Sequence, residues 1–129
     1  MGKSTLNEIL CLKFSKDNKT LIAGCMSELL FFTFQNSFLK MTKGVWQYSQ
    51  QPTLCIGVGE GQIVTGVFTG NLYFWKLNGN QDKKTIKAHD EAITSMYTKQ
   101  NFQEILTGSK DGQIKIWRWD VEGQGQEQN

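Results

Sequence analysis

The 129-residue chain holds a single proline, Pro52, and a single histidine, His89. No apolar run approaches the length of about 18 residues that a membrane-crossing helix needs, so no membrane partner is expected. The first residues, Met1 to Leu6, lack the apolar core of a signal peptide, and Leu6 breaks the myristoylation pattern. Charge is almost balanced at a formal +2, which gives no electrostatic case for nucleic acid. The three cysteines, Cys11, Cys25 and Cys55, are odd in number and far apart, in or beside apolar segments. They read as buried, reduced thiols of a cytosolic protein rather than a disulfide frame or a metal site. No amphipathic helix and no heptad pattern occurs. A phosphate-binding loop, a nucleophile elbow and a metal-ligand cluster are missing too, which excludes the common routes to catalysis and leaves no cofactor to expect. Gly2-Lys3-Ser4 has neither the preceding strand nor the extra glycine that a phosphate loop requires, and no helix follows Gly57, Gly59 and Gly61.

What the chain does contain is a repeated hairpin. From Ile105 to Trp117 a strand ends at Thr107, a turn carries Asp111-Gly112 at its tip, and Gln113 to Trp117 alternates polar and apolar residues. Asp-Gly suits such a turn because both residues tolerate positive φ. The same shape occurs around Gly66 and Gly24, so that Gly24, Gly66 and Gly108 recur at a spacing of 42 residues. Counting onward from each glycine aligns Leu30 with Leu72 and Ile114, Phe32 with Phe74 and Ile116, and Thr33 with Trp75 and Trp117. A period of about 40–45 residues with four short strands per unit is the signature of a WD40 β-propeller blade. The expectation is an all-β chain of about three blades, short of the 4–8 or so that close a propeller. Terminal faces left bare by an open arc invite association, so the chain is expected either to be a fragment of a larger propeller or to complete itself by self-association or with a partner.

Taken in order, residues 1–4 read as a frayed start, residues 5–120 as the repeat region and the Gly/Gln-rich residues 121–129 as a disordered tail. Strands are expected over 8–14, 20–24 and 29–34. Residues 38–41 and 44–46 then supply a short outer strand and a connection, and Pro52 marks entry to a strand over 54–58. Asn78 to Asp82 reads as an exposed turn before an outer strand over 83–87, whose lysines discourage edge pairing. The sequon Asn18-Lys19-Thr20 falls in a turn and stays unused in a cytosolic chain. Phe68, Tyr73 and Trp46 are equally readable as exposed contacts or as core.

Four residues stand where polar side chains are useful: His89 in a loop before a strand, Thr107 near the end of the next, Asp111 in the turn and Trp117 in the strand after it. In a WD40 repeat residues at such positions form a buried hydrogen-bond network. The chemistry suits it, since a neutral imidazole both donates and accepts, indole only donates, and a carboxylate only accepts. A histidine, an aspartate and a hydroxyl also suggest a catalytic triad, but the hydroxyl is a strand threonine with no nucleophile turn. The other two units lack the histidine and the turn aspartate.

The order Gln62-Ile63-Val64-Thr65-Gly66, Gly70 to Lys76, Ala88-His89-Asp90-Glu91 and Leu106 to Asp111, preceded by Leu30 to Phe34 and Lys40 to Trp46, resembles the first propeller of the echinoderm microtubule-associated protein-like family over roughly residues 8–118. The resemblance implies a cytoplasmic, cytoskeletal protein whose propellers contact tubulin. A basic surface facing tubulin's acidic tails would draw on Lys83, Lys84 and Lys87, with Lys110, Lys115 and Arg118 on the last hairpin. The competing expectation is a general WD40 scaffold for protein complexes with no tubulin link.

Overall fold

A computed structural model describes residues 7–99, 101–119 and 125–128. The expected frayed start lies outside the described residues, as do Asp120, residues 121–124 and Asn129. The described chain forms three four-stranded antiparallel sheets, each a meander whose strands neighbour one another in chain order. The first contains β1 (Ile9–Phe14), β2 (Thr20–Cys25), β3 (Leu29–Gln35) and β4 (Phe38–Lys43). The second contains β5 (Thr53–Gly59), β6 (Gln62–Val67), β7 (Asn71–Lys76) and β8 (Gln81–Lys87). The third contains β9 (Ile93–Lys99), β10 (Glu104–Ser109), β11 (Ile114–Trp119) and β12 (Gly125–Gln128). The first strand of each sheet lies against the first strand of the next, β1 on β5 and β5 on β9, so these form the inner edge of an arc.

Alternation along each strand divides the core into two layers. From β7, Tyr73 and Trp75 join Ile22, Leu29 and Phe31 of the first sheet. The intervening Leu72 and Phe74 join Ile93, Ile105 and Trp117 of the third. Through β5, β6 and β7 the middle sheet is therefore buried on both faces, and these three strands read as largely apolar runs rather than alternating ones, whereas its outer strand β8 is mostly exposed. Burying a side chain as large as Trp75 or Phe31, each at most 1% exposed, contributes about 1.5–3 kcal/mol. The first and third sheets each keep one face bare: Leu12 is 57% and Phe34 69% exposed at one end, Tyr97 64% and Ile114 77% at the other.

The register corrects the alignment by counting. Gly24 stands opposite Leu29, whereas Gly66 stands opposite Leu72 and Gly108 opposite Ile114. The β2–β3 turn is one residue shorter than its counterparts. Leu29 and Phe32, not Leu30 and Thr33, thus occupy the places of Leu72 and Trp75.

Two other expectations change. Gly125–Gln128 of the expected disordered tail forms β12, paired with β11 from Ile116↔Gln128 to Trp119↔Gly125. Edge pairing uses backbone groups, so a run poor in apolar side chains can still close an open strand edge. Gln81 leaves the expected exposed turn and starts β8 at 4% exposure, its Oε1 accepting the Gln47 N–H at 2.7 Å.

Candidate functional site

His89 reaches the third sheet from the loop between β8 and β9, and its side chain is fully enclosed. Its Nδ1 lies 3.1 Å from Asp111 Oδ2 and its Nε2 2.8 Å from Thr107 Oγ1. Trp117 Nε1 donates to the same Thr107 oxygen at 3.3 Å. Proton accounting gives one consistent arrangement. The carboxylate only accepts, so Nδ1 carries the proton; Nε2 then accepts the Thr107 hydroxyl proton, leaving that oxygen free to accept from the indole. Asp111 Oδ1 also accepts the Gln113 N–H at 2.9 Å. Burial acts to raise the Asp111 pKa, but the hydrogen bonds from Gln113 and His89 outweigh it and hold the carboxyl below its ordinary value.

Gly70 ties this cluster to the second sheet. Its carbonyl accepts the Ala88 and His89 N–H groups at 2.9 and 3.0 Å. Its φ is +90°, and a Cβ there would lie 2.0 Å from the His89 carbonyl oxygen, so both conformation and space require glycine. The four residues are thus brought together as a buried brace between two turns and a loop. With Thr107 1% and His89 2% exposed, the hydroxyl and imidazole have no opening to a substrate.

Sequence reasoning missed a partial copy of this brace. Trp75 Nε1 donates to Thr65 Oγ1 at 3.0 Å, with Thr65 and Trp75 each one repeat before Thr107 and Trp117. The loop residue is Gln51 instead of histidine. Its Oε1 accepts the Thr69 hydroxyl at 2.5 Å and its Nε2 donates to Tyr73 Oη at 2.8 Å. The repeat spacing marks Thr65 and Trp75, but nothing in the chain order singles out Gln51. In the first sheet the same places hold Ala23 and Phe32, and no such bond exists.

The six basic residues do not form one patch. Lys87 and Lys110 border a shallow groove with Phe68, Thr69, Asp90 and Glu91, and Lys87 Nζ donates to the Thr69 carbonyl at 2.6 Å. Lys83 and Lys84 lie further along β8. Lys84 Nζ sits over the Phe74 ring, 5.0 Å from its centroid; burial there lowers its pKa against the opposing pull of Asp82. Lys115 stands opposite Thr107 and is half-buried. Arg118 is engaged by Glu104 at 2.6 Å, which Lys99 also approaches at 3.4 Å. Of the three aromatics left open, Phe68 is exposed and Tyr73 buried. Trp46 is half-buried and packs edge-on against Trp75 at 4.9 Å between centroids. Among the described residues, no group of three or more His, Cys, Asp or Glu side chains could hold a metal ion.

Residues 80–118, which span the complete brace, match the family model "WD domain, G-beta repeat". The chain is also similar to a solved structure titled "Crystal Structure of Mitotic Checkpoint Complex", with a TM-score of 0.75 at 14% identity, covering 92% of this chain and 36% of that one. The three sheets are WD40 β-propeller blades. At sequence level the blades resemble the echinoderm microtubule-associated protein-like family. Echinoderm microtubule-associated protein-like 2 of Homo sapiens is 26% identical over 120 residues, covering 89% of this chain and 18% of that protein. The 77 kDa echinoderm microtubule-associated protein of Lytechinus variegatus is 24% identical over 125 residues, covering 93% and 19%. The WD40 chain therefore spans less than a fifth of the length of these curated relatives.

Proposed function

We propose that these blades are a non-catalytic protein-interaction module of a cytoplasmic, cytoskeletal protein, and that they contribute to binding tubulin in microtubules. The observation that carries the reading is the similarity to proteins named as microtubule-associated, which runs along about nine-tenths of the chain. The groove at the turn rim supports it. Phe68, 57% exposed, offers an apolar anchor in a groove whose lining carries both signs of charge, Lys87 and Lys110 with Asp90 and Glu91, a combination suited to a charged protein segment with an occasional apolar side chain. Aromatic anchors in pockets carry much of the affinity at protein interfaces, while the flanking charges act chiefly on association rate and salt dependence.

Co-sedimentation with assembled microtubules tests this. The chain is expected to pellet at low salt and to be released as salt rises, because exposed charges are screened. Lys87→Glu with Lys110→Glu should weaken pelleting several-fold without altering the fold. Failure to pellet at low salt overturns the tubulin reading. The blades would then serve as a general WD40 scaffold, and tubulin-free complexes recovered by affinity capture would identify that role.

A further inference from the structure

Each blade meets the next in the same way, and each end of the arc carries one half of a further contact of that kind. At the first junction, a Cβ on Gly24 would lie 2.6 Å from Cys11 Sγ and 2.7 Å from Thr53 Cγ2 of the next blade. At the second, a Cβ on Gly66 would lie 2.7 Å from Cys55 Sγ and 2.9 Å from Ile93 Cγ2 of the next blade. The Cys11 and Cys55 thiols donate to the Thr53 and Ile93 carbonyls at 3.5 and 3.7 Å. The pattern is a glycine on the second strand, a small donor opposite it, and the first residue of the next inner strand seated over both.

The third blade keeps the receiving half. Ser95 stands opposite Gly108 as Cys11 stands opposite Gly24 and Cys55 opposite Gly66. Here the Ser95 hydroxyl, at 2.8 Å, is the one described neighbour within 4 Å of a Cβ on Gly108. Around this slot, Leu106 and Ile114 occupy the places of Val64 and Leu72, which are fully buried against the following blade. The seated half is at the other end. Ile9 opens β1 just before a bulge, as Thr53 opens β5 just before one. Thr53 and Ile93 are fully buried, whereas Ile9 is 57% exposed.

We propose that two copies of this chain associate head to tail, with Ile9 of each seated on Gly108 of the other and the Ser95 hydroxyl donating to the Ile9 carbonyl. The occupant is a second copy because the seated residue and its receiving slot both lie on this chain, at opposite ends. Two is the number because closed propellers typically have about 4–8 blades, and three-blade units reach that range only as six. Heterologous contacts that close give a ring rather than a filament. The ring covers both bare apolar faces, which otherwise favour non-specific association.

Light scattering on the purified full chain, coupled to size-exclusion chromatography, tests this. The expected result is a single species of twice the chain mass. Gly108→Val puts bulk into the slot at a position where, among the described residues, a Cβ meets only the movable Ser95 hydroxyl, and Ile9→Asp removes the seated side chain. Each variant should retain its circular dichroism spectrum and run as a monomer. Mixing the two should restore association, because each supplies the face the other has lost. Should Gly108→Val fail to fold, Ile114→Asp, at a position 77% exposed, tests the same face. A monomeric unaltered chain overturns the proposal and assigns the faces to other blades or another protein. A dimer that survives both substitutions on the Gly108 face overturns it in favour of pairing between like faces, and polydisperse aggregate overturns it as well.

Discussion

Thr107 is the residue on which the brace turns, because its one hydroxyl serves two buried partners. Thr107→Val keeps the shape and removes the oxygen, leaving His89 Nε2 and Trp117 Nε1 without their bonds. An orphaned buried polar group costs about 1–3 kcal/mol. Thr65→Val orphans the Trp75 indole alone. In urea unfolding, Thr107→Val is expected to lose clearly more stability than Thr65→Val; equal losses would show that His89 contributes nothing. Asp111 adds a dependence on acid. Its folded pKa lies below the ordinary 3.8, so its contribution is present above the unfolded value and is lost as pH falls through the folded one. The melting temperature should therefore drop as pH falls below about 4, and less steeply for Asp111→Asn. A parallel drop in both proteins would remove the carboxylate from the account.

The strands differ in how firmly they are held. β6 pairs on both sides and is buried or nearly so along its length, whereas β4 is exposed at nearly every position. Local opening follows buried contact, so hydrogen exchange should be slowest in β6 and fast in β4; comparable protection in the two would contradict a core centred on the middle sheet. The same contrast separates what could be read in the chain order from what could not. The repeat spacing and the Asp-Gly turn marked the third sheet's hairpin, and the likeness to a WD40 repeat pointed to His89, Thr107, Asp111 and Trp117. The one-residue slip in the first sheet stayed hidden because Leu29-Leu30-Phe31-Phe32 is apolar throughout, and a run without alternation does not say which residue faces which layer. Gln51 was invisible for another reason: a glutamine in a polar loop acquires its role only when folding sets it beside Thr69 and Tyr73. β12 was missed because its pairing rests on backbone groups that every sequence carries.

At the scale of the whole molecule, the two core layers meet only in the middle blade, so the chain behaves as a short stack in which each blade is stabilised by its neighbours. Stability in such stacks is approximately a sum of unit and nearest-neighbour terms. Ile105 is fully buried in the layer between the second and third blades and absent from the other layer. Truncating it to alanine should cost about 2–5 kcal/mol, and the loss falls on one junction. The third blade, which holds the brace, should then separate first. A native-state exchange experiment on Ile105→Ala should show β9 to β11 deprotected while β2 and β3 keep their protection. Uniform deprotection of all three blades would mean instead that the junctions are strong enough to make the arc one cooperative unit, with the middle blade transmitting the loss from one layer to the other.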